Sequence, residues 1–353
     1  MKKIVTALIL IVLDGTAMFL FHRFPSFFIP PYRNLSKAWT GFLAGLCSPV
    51  PFAVWDICAL VLIVLVLVSF VRCIRKKSVF RWFSSLVLAV SVLVSSAVLG
   101  WMLNHYAPSL AEELGMEVRQ YRVSELEEAA EYYLLKAGEY AQQTERDAEG
   151  HLTDPDFDAL AEQAGKSYQN LPEPVFEGST ARVKRLSVIG EYLMYNGIIG
   201  MFMPLTGEAG VPESVPPAVM PYTMTHEAAH RLGIAGEEDA NFAAFLACMA
   251  SDDPYFVYSG CYNAFGYCLS ALCRIDPERA LEVYHRHDDD AGVLLVQADR
   301  ADTAAVYRRY ESPLQDVSDK INDTYLKTFD ETDGIASYGK VTDELIAWYL
   351  ENR

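Results

Sequence analysis

His226-Glu227-Ala228-Ala229-His230-Arg231-Leu232-Gly233 runs directly into Ile234-Ala235-Gly236-Glu237-Glu238-Asp239-Ala240-Asn241, and from there into Phe242-Ala243-Ala244-Phe245-Leu246-Ala247-Cys248-Met249-Ala250. The first five residues fit H-E-x-x-H. On a helix, positions i and i+4 lie on one face, so both imidazoles can reach one metal ion. Glu227 stands beside that face, where a carboxylate can take a proton from a metal-bound water. Leu232-Gly233 is a normal place for a helix to end and turn. The stretch from Phe242 has no polar side chain and reads as a buried helix. Carboxylates leading into a buried helix need a partner, because an unpaired buried charge is expensive. The bland reading is a surface helix with a chance His-Glu-His, and it gives no reason for the turn, the acids and the buried helix to coincide.

The segment after Gly233 offers a third ligand. Glu237 is the preferred residue, since it shares a helical face with Asn241 at i+4, and Asn241 could then hydrogen-bond and orient His226 or His230. Glu238 is the alternative. Gly236 occupies the third-histidine position of H-E-x-x-H-x-x-G-x-x-H, which excludes that ligand set. His22, His105, His151, His285 and His287 are not placed by spacing to complete the site. Two histidines and a carboxylate with a fourth position open make a catalytic zinc set. Zinc lowers the pKa of a bound water to about 7. Glu227 would take its proton as general base and pass it to the leaving amine. A further donor would stabilise the oxyanion; Tyr222, Tyr258 and Tyr325 are candidates.

The chain has 353 residues and is 52% hydrophobic. Residues 4–21, 52–71 and 84–103 are almost wholly apolar, each about long enough to span a bilayer. No small-x-small cleavage site follows the first, so it reads as a signal anchor rather than a signal peptide. Arg72, Arg75, Lys76, Lys77 and Arg81 cluster between the second and third spans. The positive-inside rule puts that loop and the N-terminus in the cytoplasm, and everything after residue 103 outside. Arg23, Arg33 and Lys37 in the first outer loop, 22–51, are a mild counter-signal. Asp14 is expected to face a neighbouring helix and Asp56 to sit at the interface. The net charge of −17 lies almost wholly in the exported part and argues against nucleic acid as a partner. The seven cysteines have no metal-binding spacing.

From Asn104 the pattern is mostly helical, with helices expected over 107–115, 124–146, 155–168, 237–250, 254–273, 277–287, 299–329 and 338–351. Ser124 with Glu127 reads as a capping box. Between them, 182–189 and 192–205 are rich in β-branched and aromatic residues and read as a small sheet. Its 196–203 segment could hold a peptide as an added strand or be a plain hairpin. Pro212, Pro216, Pro217 and Pro221 mark a loop leading to the metal helix.

The chain resembles an uncharacterised family of bacterial multi-span membrane proteins with a predicted zinc-peptidase domain. The resemblance covers most of the chain. It rests on Tyr195-Asn196-Gly197-Ile198-Ile199-Gly200-Met201-Phe202-Met203-Pro204-Leu205-Thr206-Gly207-Glu208-Ala209, on the metal segment through Cys248, and on Tyr258-Ser259-Gly260. Asn322-Asp323-Thr324-Tyr325-Leu326-Lys327 and Gly334-Ile335-Ala336-Ser337-Tyr338-Gly339 also carry it. More distantly, Glu237-x-x-x-Asn241 resembles the Glu-x-x-x-Asp step of membrane-linked gluzincins. That resemblance implies that Glu237 binds zinc and Asn241 orients a histidine. Asn241 departs from the family's Asp, and the link from His230 to Glu237 is shorter than in most gluzincins.

The expectation is thus a mainly α chain. Residues 1–103 would form a membrane domain with three transmembrane helices. Residues 104–353 would form a mostly helical, zincin-like extracytoplasmic domain with a small β-sheet. It would act as a zinc metallopeptidase on peptides or proteins at the membrane exterior. The alternatives are a non-peptidase zinc amide hydrolase of the cell envelope and a non-catalytic metal-binding sensor.

Overall fold

The computed structural model describes residues 2–329 and 339–353. The fold is mainly α with one small mixed sheet. Three helices are long and apolar enough to cross a membrane: α1 (Lys2–Arg23), α3 (Val54–Lys76) and α4 (Val79–Gly100). Between the first two lies α2 (Pro25–Cys47), a helix where sequence suggested only a loop. Its polar residues and prolines dilute its mean hydropathy, which hid a regular helix. Asp14 faces a neighbouring helix as expected, accepting a hydrogen bond from Ser95 Oγ on α4 at 2.6 Å. The tight turn from α3 to α4 uses Lys77 in the left-handed conformation at φ 48°.

A short 3-10 turn, Met102–Tyr106, follows α4. Then come α5 (Leu110–Glu113), α6 (Val123–Ala141) and α7 (Phe157–Lys166). The capping box of α6 lies two residues earlier than expected: Glu125, not Glu127, reaches back to the Arg122 backbone N–H at 2.8 Å. Asp156 caps α7.

The sheet has order β1-β3-β2, from β1 (Lys184–Arg185), β2 (Met201–Met203) and β3 (Glu208–Val211). β2 runs antiparallel and β1 parallel to β3. Residues 192–195, expected as strand, belong instead to the short helix α8 (Gly190–Tyr195). Gly207 turns β2 into β3 at φ 67°. A side chain there would collide with backbone of α2 at Thr40 and Ala44.

The metal-motif helix is α9 (Met220–Arg231), followed by α10 (Glu237–Met249), α11 (Pro254–Ile275) and α12 (Pro277–His285). The single helix expected over 299–329 is two, α13 (Ala291–Tyr310) and α14 (Leu314–Thr328), broken at Pro313. This follows from the proline's lost N–H and its clash with the preceding turn. The Asp288-Asp289-Asp290 turn ends in a cap, Asp290 accepting from the Gly292 and Val293 N–H groups. α15 (Lys340–Asn352) closes the chain. Most of the Gly334 to Gly339 segment lies outside the described residues.

One apolar core joins α6, α7, α9, α10, α11 and α15, with Phe242, Phe245 and Phe256 at its centre. α10 is buried from Phe242 to Phe245, as the lack of polar side chains there required. The membrane segment locks onto this core through polar contacts. The Glu208 carboxylate accepts from the Val54 and Trp55 N–H groups at 2.9 and 3.0 Å, satisfying open donors at the start of α3. Asp56 accepts from Val188 N at 3.0 Å, and Lys184 Nζ donates to the Cys47 and Ser48 carbonyls at 3.0 and 3.2 Å.

Candidate metal centre

α9 is buried along its whole length except at His226, which is partly exposed. Its C-terminal end explains how so short a link can deliver a third ligand. Gly233 adopts φ 76°, a conformation open to glycine at little cost. The Gly233 and Ile234 N–H groups close the helix on the His230 and Ala229 carbonyls at 3.0 and 3.3 Å. The chain therefore doubles back at once, and Gly236 serves as the N-cap of α10. Glu237 is the first residue of that helix and comes to rest opposite the two histidines.

His226 Nε2 and His230 Nε2 lie 3.1 Å apart. Glu237 Oε2 is 3.3 Å from His226 Nε2, and Glu237 Oε1 is 3.8 Å from His230 Nε2. In a tetrahedral site with metal–ligand bonds of about 2.05 Å, the ligand atoms are separated by about 3.3 Å. The three observed separations bracket that value, so the residues fit one small cation. The tautomer of His230 follows from its neighbour. Its Nδ1 is 2.8 Å from the Ile234 carbonyl, which can only accept, so Nδ1 carries the proton and Nε2 presents a lone pair. Trp101 Nε1 and Thr40 Oγ1 donate to the His230 and Arg231 carbonyls at 2.7 and 3.2 Å, pinning the end of α9 to the membrane segment.

Electrostatics reflect a cluster built around positive charge. Burial alone would raise the Glu237 carboxyl, but its hydrogen bond to His226 and the charges of both imidazoles hold it down at about 2. Burial opposes charge on His226, yet the Glu237 carboxylate outweighs it and raises that imidazole. His230 is pushed down to about 4 by burial, which keeps it neutral. Burial lifts the Glu227 carboxyl to about 8, with the His226 charge opposing and the Glu237 charge assisting. Glu227 Oε2 is buried with no hydrogen-bond partner among the described residues. A buried carboxylate without a partner is costly and suits a group that exchanges protons with something entering the site.

Glu238, the alternative ligand, points elsewhere. It faces Lys340 at 3.7 Å and lines a cavity of about 360 Å³ beside the α9–α10 turn, along with Arg33, His105 and Asp239. Asn241 lies within hydrogen-bonding reach of His226, and its backbone carbonyl accepts from Tyr222 Oη at 2.8 Å.

Of the three candidate tyrosines, the structure does not bring Tyr258 to the cluster. Its ring is fully buried and its hydroxyl hydrogen-bonds Asp299. Asp299 in turn is held by two bonds from Arg146, at 3.0 and 2.8 Å. Residue type alone could not distinguish this internal network from a cleft hydroxyl. Tyr222 is buried against Asn241. Tyr325, on α14, has its hydroxyl 2.8 Å from His105 Nε2. His105 itself shares the edge of the Trp101 ring with His230, at centroid separations of 5.6 and 5.9 Å. Spacing along the chain gave no sign of His105, because it follows the third span and reaches the site only through the fold. Tyr267, on α11, was also missed. It hydrogen-bonds Tyr222, and burial raises its hydroxyl to about 12 with the Glu237 charge adding to the shift.

The last wall of the site is the sheet. A Cβ at Gly200 would lie 2.8 Å from Glu227 Cγ. The backbone entering β2 therefore packs directly on the Glu227 side chain, and β2 is an edge strand.

No curated protein and no solved structure matches this chain. A family model described as "Protein of unknown function (DUF3810)" matches residues 32–346. That match takes in α2 to α15, both spans after the first, and every residue of the cluster; the chain belongs to the DUF3810 family.

Proposed function

We propose that this protein is a membrane-anchored zinc metallopeptidase with its catalytic residues on the extracytoplasmic side. The observation that carries the reading is the convergence of His226 Nε2, His230 Nε2 and Glu237 at the separations of a tetrahedral ligand set, with the unpartnered Glu227 carboxylate beside them. Zinc held by these three residues would polarise a substrate carbonyl and acidify a water. Glu227 accepts the proton of the attacking water and delivers it to the leaving nitrogen. His230 is kept neutral by burial and held in one tautomer by the Ile234 carbonyl, and Asn241 stands beside His226, where it could orient that ring. The Tyr325 hydroxyl, hydrogen-bonded to His105, and Tyr267, whose hydroxyl feels the Glu237 charge, are the candidate donors for an oxyanion. Edge strand β2 favours a peptide over other amides, since an extended backbone can add to it as a further strand beside Glu227.

The sidedness reading rests on the basic turn Arg72 to Arg81. Two of the three basic residues that argued weakly against it, Arg33 and Lys37, are engaged by residues after the third span. Arg33 pairs with Glu113 at 2.6 Å, and Lys37 Nζ donates to the Val175 and Glu177 carbonyls at 2.6 and 3.0 Å.

The test uses the full chain in lipid nanodiscs, with elemental analysis and a peptide library. The expected result is about one zinc per chain, with cleavage lost on chelation and restored by zinc. Absence of stoichiometric metal under zinc supplementation would refute the reading.

A further inference from the structure

α2 is built inside out. In a helix packed on a soluble protein, apolar residues face inward and polar ones face water. Here the middle of the buried face carries Ser36 and Thr40, 1% and 0% exposed, with Arg33 and Lys37 alongside, between the buried apolar Ile29 and Ala44. The opposite face carries Phe27, Leu35, Trp39, Phe42 and Leu46, of which Leu35 is 69% and Leu46 63% exposed. From Leu35 the spacing is four, three and four residues, one continuous helical stripe.

The position of α2 says what covers that stripe. α2 starts one residue after α1 ends. Its middle meets the end of α4, where Ser36 Oγ donates to the Gly100 carbonyl at 2.9 Å and the Trp39 ring lies 3.6 Å from where a Gly100 Cβ would be. Its end and the start of α3 are both held by β1: Lys184 Nζ donates to the Cys47 and Ser48 carbonyls, and the Arg185 carbonyl accepts from the Ala53 N–H at 3.1 Å. A 23-residue helix is about 34 Å long; it packs on the domain-proximal ends of α1 and α4 through Phe21, Ile29 and Val98 and leads through residues 48–53 into the start of α3. It therefore lies in the plane where those helices leave the bilayer, with the catalytic unit on one side and acyl chains on the other.

We propose that α2 is an interfacial helix whose Phe27, Leu35, Trp39, Phe42 and Leu46 side chains are sunk into lipid, and that it seats the metal-ligand helix on the membrane surface. The seating is direct: Thr40 Oγ1 on α2 bonds the Arg231 carbonyl, one residue beyond His230. The cluster then stands about one helix diameter, ~10 Å, from the lipid. With the metallopeptidase reading, on which this extension rests, the substrate class is polypeptide presented close to the bilayer, next to a membrane anchor.

The experiment places the photoreactive residue benzoylphenylalanine at Phe42, and separately at Leu35, in the full chain reconstituted in phosphatidylcholine vesicles. Asp289 in the catalytic unit serves as the water-facing control. Irradiation should add the mass of one phospholipid at positions 42 and 35 and none at 289. A covalent dimer at either position would overturn the proposal in favour of contact between copies. No adduct at either position would place the face in water. If the substituted chains do not fold, the native chain is read through Trp39: brominated lipid should quench a fluorescence component that Trp39→Phe removes, and unchanged quenching would overturn the proposal. The substrate class is read separately, by comparing one cleavable sequence beside a membrane anchor with the same sequence free in solution. The anchored form should be cut at least about tenfold faster through its higher effective concentration, and equal rates would refute the substrate class. Lipid adducts without turnover would leave the seating standing and refute the peptidase reading, whereas turnover without adducts would do the reverse.

Discussion

Gly200→Ala tests whether β2 positions the general base. Gly200 is not among the glycines with positive φ, so alanine fits the backbone. The new methyl would lie 2.8 Å from Glu227 Cγ and 2.9 Å from Cδ. Ordinary carbon contacts are about 3.5–4.0 Å, so the carboxylate must move by about 1 Å. A displacement of that size at a reacting group costs about 10²-fold in rate. The methyl touches none of His226, His230 or Glu237, so zinc content should not change. Overpacking should cost about 1–3 kcal/mol of stability, small enough for the protein to stay folded. kcat/KM on the best library peptide, zinc stoichiometry and the thermal midpoint are measured on the same preparation. An unchanged kcat/KM would refute the role given to Glu227 and β2; loss of zinc would show that the methyl acts through the ligands instead.

Glu227→Gln should keep zinc and lose about 10²–10⁴-fold in kcat, the range for removing a general base, measured by zinc analysis and steady-state rates. His226→Ala and His230→Ala should abolish zinc binding, and Glu237→Ala should weaken it while Glu238→Ala does not, by competition with a chromogenic chelator; the reverse order for the two glutamates would reassign the third ligand. Asp299→Ala strands the buried Arg146 guanidinium and should destabilise by about 3–5 kcal/mol, whereas Tyr258→Phe should leave kcat unchanged and cost about 1–3 kcal/mol, both read from denaturation midpoints and rates. A reporter active only outside the cytoplasm, fused after Arg353, should work, and a cytoplasm-only reporter there should be silent; the opposite pattern would invert the topology.

Much of the site was legible because its residues are local in sequence. His226, Glu227 and His230 lie on one turn of helix. Glu237 and Asn241 follow within a short link whose glycines announce the reversal. The apolar run after Asn241 read correctly as a buried helix, since a helix without a polar face has nowhere else to go. The apolar spans were legible for a similar reason: composition alone suffices over about 20 residues. The partners that come from far away were not legible. His105 reaches the cluster across Trp101 at the end of a span, and Tyr267 arrives from the middle of α11. Tyr258, equally plausible by residue type, is occupied by an internal Arg146–Asp299 network.

Sequence by itself picked out His226, His230 and Glu237 as one cluster, the three apolar helices and the mainly helical class, because helical periodicity, glycine stops and hydropathy are local properties. Tertiary structure decided which face each element turns to its neighbours. It made Glu237 rather than Glu238 face the histidines and laid Gly200 against Glu227. It also turned the stretch after α1 into a helix with its polar side inward. That inversion is invisible to a one-dimensional pattern, since an amphipathic helix has the same periodicity whichever face is buried, and only the surroundings of α2 tell the two apart.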